Sequence, residues 1–334
     1  MSGRLTARPA TRRPVRRAVV AGALVMVLIA VGLTVWLVSR GGPEPSAATS
    51  RWGFALAPCE RPPDAGDVGP GPGRAPSGVT SLRSGATLEN ADVRELRIEG
   101  SDVTVRNVAV AGRVLVSGDN VTLSRISAQG LSVSSARRVR LTESRITGST
   151  EDAVHITSDR GRTAGQIMLD HNYIAEPRVG DTAHFDGTQI RGADGIVITC
   201  STYDAGEYRK GYNAAIYLED ANGGTRDVVI ADNHLRGFGF SVMLAARDLA
   251  ITGNSADGDV RWGPCMIGDG FSLADVRQRE NTVQGRAEDL CGTSAGRTER
   301  GSPPLNDTPV IHRSSPGIIR PGSLWLRPAR LTSG

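Results

Sequence analysis

The chain has 334 residues, 22% of them charged and 39% apolar, with 41 glycines and only 4% aromatics; this suits thin, repeated β layers better than a bulky globular core. Its formal charge of +4 has one source: residues 1–40 hold seven Arg and no acid, and removing those seven leaves −3 for the rest. A basic face for nucleic acid is therefore not expected on the folded part.

The basic head, 1–17, is followed by Ala18–Val38, a run without a charge. At 1.5 Å per residue it is long enough to cross a hydrocarbon core of about 30 Å. Six Arg precede it and Arg40 follows, which places the N-terminus in the cytoplasm by the positive-inside rule. A cleaved signal peptide would need a shorter apolar region and a nearby small-x-small site, and Ser46-Ala47-Ala48 is distant. The expectation is an uncleaved single-pass anchor in the cell membrane with everything after it extracytoplasmic. In that oxidising setting Cys59, Cys200, Cys265 and Cys291 form two disulfides. Of the three connectivities, the most local pairs Cys265 with Cys291 and leaves Cys59 with Cys200. No Cys-x-x-Cys or paired His spacing points to zinc.

Residues 39–80 are rich in Pro and Gly and read as a stalk, and 299–334 as a disordered tail. Between them, at 81–298, an internal repeat decides the fold. Val103-Thr-Val105, Val121-Thr-Leu123 and Val139-Arg-Leu141 begin units 18 residues apart. The same alternating phrase returns at Ile167, Ile196, Val228 and Leu249, with a weaker copy at Val276. Asn172, Asn233, Asn254 and Asn281 each stand five residues past a phrase start, where a stacked turn Asn can bond the backbone of the turns above and below. The pattern predicts an all-β parallel helix of about nine coils, each a layer at about 4.8 Å. Irregular coils without a short hexapeptide repeat favour the right-handed form.

Three consecutive coils between residues 139 and 228 carry 10, 11 and 14 residues beyond the bare coil. Two of these insertions, Glu176–Ala183 and Tyr203–Tyr212, fall at one corner and form one wall of a groove. The strands that follow align as Asp152 to Thr157, Asp186 to Arg191, Ala214 to Glu219 and Phe240 to Ala245. With Ile156, Ile190, Leu218 and Leu244 inward, alternation sends His155, Gln189, Tyr217 and Met243 outward, and Thr157, Arg191 and Glu219 beside them. A third outward column, Ala153, Gly187, Ala215 and Ser241, is small and reads as a floor on which a sugar ring can lie. His184 and Asp186 edge it, while His171 and His234 sit beside the Asn turns in structural places. Asp152 at the place equivalent to Asp186, and an Arg191–Glu219 surface pair, also fit a purely structural reading.

Leu169-Asp170-His171, then Asp186-Gly187, then Ile196-Val197-Ile198-Thr199 follow an order that resembles a segment of pectate lyases. The repeat as a whole resembles the pectin-lyase-like right-handed β-helix superfamily over about 200 residues. Pro63-Asp64-Ala65 before the short coils is similar to secreted actinobacterial β-helix proteins of poorly defined activity. The Arg-x-Pro-x-x-Arg of pectate lyases and the Asp-Asp and Gly-His-Gly pairs of polygalacturonases are absent. The resemblance implies recognition of an acidic or cell-wall polysaccharide, with cleavage by β-elimination. Arg191, Lys210, Tyr217 or His184 would be the base, and Asp186, Arg191 and His184 the catalytic set. His155, Gly187, Gln189, Tyr217 and Glu219 would hold substrate, and Asp152, Asp186 and Glu219 would serve Ca²⁺ if it is used. Hydrolysis by Asp186 and Glu219 is a further route. The alternative is a non-catalytic surface module that binds glycan or protein, and on either reading a monomer is expected.

Overall fold

The computed structural model describes residues 58–292. The basic head, the expected membrane span and the expected tail lie outside the described residues. Among the described residues no helix is long and apolar enough to cross a membrane, and the one helical element is a 3₁₀ turn at Leu273–Asp275.

The rest is a parallel β-helix. Nine strands stack into one sheet: Ser81–Leu82, Leu96–Ile98, Arg113–Val116, Gly130–Ser134, Val154–Thr157, Phe185–Arg191, Tyr212–Glu219, Phe240–Leu244 and Gly263–Ile267. This is the site sheet. The remaining two sides of each coil join into a second, bent sheet of 17 strands. Its register follows the repeat: Val103 pairs with Val121, Val121 with Val139, Val139 with Ile167, and on through Ile196, Val228 and Leu249 to Val276. Inward positions are nearly all Val, Leu and Ile, and each fully buried side chain contributes about 1.5–3 kcal/mol.

The bend in the second sheet is a ridge of left-handed residues, one per coil. Asn107, Arg125, Glu143, His171, Cys200 and Asp232 have φ of 54°, 52°, 49°, 53°, 45° and 55°. That conformation strains any residue with a Cβ. The next position along the chain offsets the strain with a hydrogen-bonded ladder. Ser144 N–H donates to Asn172 Oδ1 (3.0 Å), Ser201 N–H to Asn233 Oδ1 (3.0 Å), Asn233 N–H to Asn254 Oδ1 (3.0 Å) and Asn254 N–H to Asn281 Oδ1 (3.0 Å). The same amides donate to Leu141, Ile198, Ile230 and Ile251 carbonyls, so the turn asparagines act as expected. Ser144 and Ser201 fill the rungs that lack Asn, through their hydroxyls.

Both disulfides pair as the locality argument expects, Cys265 with Cys291 and Cys59 with Cys200. The first closes the C-terminal end, where Leu290 enters the core and Gln278 binds both backbone groups of Cys291. The second pins a strap, 58–74, along the left-handed ridge. Thr202 Oγ1 donates to Pro63 O (2.7 Å), Arg145 Nη1 to Ala65 O (3.1 Å), Gly69 N–H to Glu143 O (2.8 Å) and Asn107 Nδ2 to Pro72 O (3.2 Å). A hollow of about 440 Å³ lies beneath Gly71 and Pro72, at this ridge and away from the site sheet.

Candidate functional site

The strands of the site sheet align as the sequence predicts. Val154, His155, Ile156 and Thr157 face Thr188, Gln189, Ile190 and Arg191, which in turn face Ile216, Tyr217, Leu218 and Glu219. Met243 lies beside Tyr217, and Met266 beside Met243. Upward the column continues through Ser132 and Leu115 to Arg97. One outward row thus runs Arg97, Leu115, Ser132, His155, Gln189, Tyr217, Met243, Met266.

The small-residue floor is corrected. Ala153 and Ala215 belong to the interior cluster, together with their neighbours Val154 and Ile216, whereas Ala214 belongs to an outer cluster with Tyr217. Alternation therefore breaks at the corner, where two consecutive residues turn inward. Gly187 faces the same way: a Cβ there would meet Tyr203 Cδ1 at 2.7 Å and Ala215 O at 2.6 Å. Its lack of a side chain makes room for the buried Tyr203 ring, whose hydroxyl bonds Thr188 Oγ1 at 2.8 Å. Tyr203 and Tyr212 are core residues, so the second wall is the loop 205–211 between them.

Asp186 is also more enclosed than an edge residue. Its side chain has no exposure; Oδ1 accepts from Asn213 Nδ2 (2.8 Å) and Ala214 N–H (3.0 Å), and Oδ2 has no hydrogen-bond partner among the described residues. Burial first, and then the nearby Asp152 charge, push its carboxyl well above the ordinary 3.8. Asp152 does the equivalent work one coil earlier, accepting from Asp186 N–H at 2.9 Å. The two acids are rungs of a corner ladder as well as neighbours of the site.

Each acid has a histidine beside it. His155 Nδ1 lies 3.3 Å from Asp152 Oδ2, and the more exposed His184 has Nδ1 3.8 Å from Asp186 Oδ2. Arg191 and Glu219 pair as predicted, Nε to Oε2 at 2.8 Å, although the N–H is poorly aligned for a hydrogen bond. Arg191 is not engaged further: among the described residues neither Nη has a protein acceptor. Asn222 closes the far edge, donating to Thr157 Oγ1 at 2.9 Å from a loop whose carbonyls press on Gly192.

Tyr217 faces outward as expected but is only 8% exposed. It joins Ala214, Phe240 and Met243 in an apolar cluster under Trp262. Burial, then Glu219 and Asp186, raise its phenol to about 12, so it stays protonated and is a poor base. Among the described residues no three His, Cys, Asp or Glu gather closely enough to hold a metal ion, so Asp152, Asp186 and Glu219 do not form a Ca²⁺ cage.

Two participants escape sequence reading. Asn213 holds Asp186 from the residue before an ordinary strand phrase. Arg113 lies beneath the corner of 149–152, donating to Asp152 O and Ser149 Oγ and pairing with Glu151 at 2.9 Å. Its guanidinium passes over Gly130, where a Cβ would sit 2.5 Å from Cζ. No local signal marks either residue, because their partners come from other coils.

A parallel coil with this site sheet, ridge and ladder defines a β-helix protein. The sequence matches the family described as right handed beta helix region over residues 106–284, more than half of the chain, and the chain belongs to that family. No curated protein matches it. Among solved structures, an alginate lyase from Paenibacillus sp. is 13% identical with a TM-score of 0.44, covering 62% of this chain and 80% of that one. The catalytic unit of an α-1,3-glucanase from Streptomyces thermodiastaticus is 13% identical with a TM-score of 0.39, covering 61% of this chain and 50% of that one. These likenesses concern the coil alone and carry no argument about activity.

Proposed function

We propose that the protein recognises an acidic polysaccharide on the outer face of the site sheet and cleaves it by β-elimination. The observation that carries this reading is Arg191: Glu219 meets its Nε at 2.8 Å, and among the described residues its two Nη groups have no protein acceptor. That fork suits a planar carboxylate such as a uronate's, whose neutralisation makes the adjacent carbon acid. The base this reading assigns is His155, beside Gln189 and two positions from Thr157, the partner of Arg191. His184 stands seven residues before Arg191 along an extended strand, roughly 20 Å away; burial removes Asp186 from direct proton transfer, and Tyr217 stays a phenol. Asp152, whose Oδ2 lies 3.3 Å from His155 Nδ1, then orients that histidine as a positioning residue.

Burial of Asp186 and Tyr217 equally favours the second reading, a non-catalytic glycan-binding module. One experiment separates them. The purified full-length chain is incubated with polygalacturonate and alginate, with and without Ca²⁺, while binding and the absorbance of unsaturated uronate are followed. Lyase action raises the absorbance, and Arg191→Ala reduces binding at least tenfold, as expected for losing a charge-assisted contact of about 1.5–3 kcal/mol. Binding without absorbance selects the module; neither signal refutes the polysaccharide reading.

The same proposal places the domain outside the cell membrane on the anchor 18–38, supported by the Arg-rich flank and by two disulfides, which persist in oxidising compartments. Such a chain resists extraction of membranes with alkaline carbonate. A mature N-terminus near residue 49 would show cleavage instead.

A further inference from the structure

We infer that this face reads the ends of polysaccharide chains rather than their interiors, because an aromatic plug closes it at one end; the inference rests on the polysaccharide reading. Leu115, Ser132, His155 and Gln189 on the outward row are partly open to solvent. Met243 occupies the same row two coils beyond Gln189, facing away from the interior, yet is 1% exposed. An outward residue that meets no water is covered by other protein. Met266 stacks on Met243 in the next coil, and Trp262 packs on the same cluster, its ring 5.4 Å from Phe240 and 5.7 Å from Tyr208, so separate segments build the plug. Gly239 makes the fit possible, since a Cβ there would meet the indole at 2.2 Å.

Among the described residues nothing comparable covers the opposite end. A hollow of about 170 Å³ lies between Arg97, Ser132, Asp159 and Arg160. From Arg97 to Gln189 the row spans four strand spacings, about 19 Å, room for a short oligosaccharide laid along the rod. The next step meets Tyr217 and the plug. Sideways exit is restricted at that level, because the loop 220–224 sits on Gly192 and reaches Thr157. A sugar chain entering past Arg97 therefore stops with its terminal ring against Tyr217 and its carboxylate at Arg191. The entrance itself is balanced, Arg97 and Arg160 against Glu99 and Asp159, so the preference for a carboxylate rests on Arg191.

The test compares alginate and polygalacturonate with their own octamers, at equal sugar mass, on the full-length protein. End recognition makes the octamers bind at least tenfold more tightly per mass, because they carry more ends. It also makes any cleavage raise unsaturated-uronate absorbance while polymer viscosity holds. Tyr208→Ala and Trp262→Ala, each checked by circular dichroism, open the stop and bring the octamer-to-polymer ratio towards one. Should either variant fail to fold, the wild-type ratio still decides. Equal binding per mass by the wild type overturns end recognition and leaves the polysaccharide reading standing; no binding of any probe overturns both.

Discussion

Among the described residues, Asp186 keeps one carboxyl oxygen, Oδ2, buried without a hydrogen-bond partner. A protonated carboxyl suits that enclosure better than a charge does. With its pKa raised, folded Asp186 holds a proton that the unfolded chain has lost, so stability falls as pH climbs from the ordinary carboxylate range through the folded value. Asp186→Asn, which keeps an acceptor for Ala214 N–H, should flatten that fall. Urea midpoints measured from about pH 4 upward test it; parallel curves for the two proteins would refute the assignment. A second pair of substitutions reads the cover on the outer face. Gln189→Ala should stay within about 0.5 kcal/mol of wild type, whereas Tyr217→Ala should cost about 3 kcal/mol because it empties a packed cluster. Equal effects would mean that the cover is loose.

The asparagine rungs are where sequence and coil meet most directly. Asn233 accepts from Ser201 N–H and donates to Ile198 O and Asn254 Oδ1, all buried. Asn233→Ala leaves an N–H and a C=O unsatisfied and should cost about 3 kcal/mol. Asn120, whose amide reaches Asp102 on the exposed surface and whose φ is 55°, should lose only the left-handed preference of Asn over Ala, about 1 kcal/mol. Chemical denaturation of both variants compares them, and similar losses would mean the ladder is incidental. These rungs, the register from Val103 to Val276 and the alignment of His155, Gln189 and Tyr217 were legible because each follows from spacing along the chain. The direction of Gly187 was not: strict alternation holds within a strand, and Ala215 and Ile216 both turn inward where the coil rounds its corner. Nor was the cover on Tyr217 and Met243, since Trp262 packs on their cluster from a later coil with no repeat to announce it.

Across the whole molecule each coil touches chiefly its neighbours, so a solenoid of this kind can fray coil by coil from its ends. The strap is the exception. Pinned by Cys59–Cys200 across 141 residues, it also binds Thr202, Arg145, Glu143 and Asn107, and so ties middle coils to early ones. In the chain-entropy account that crosslink is worth about 5 kcal/mol, against about 3.5 kcal/mol for Cys265–Cys291, which spans 26 residues. The difference in placement matters more than the difference in size. Replacing Cys59 and Cys200 by Ala should release the strap and let the early coils open independently, so hydrogen exchange should quicken at Val103–Val110 and Val121–Ala128 while Thr225–Ala231 stays protected. Replacing Cys265 and Cys291 by Ala should instead loosen Val276–Arg279 and the coil above it. If both variants quicken exchange uniformly along the rod, the coils unfold as one cooperative unit and the strap is a local staple with no long-range role.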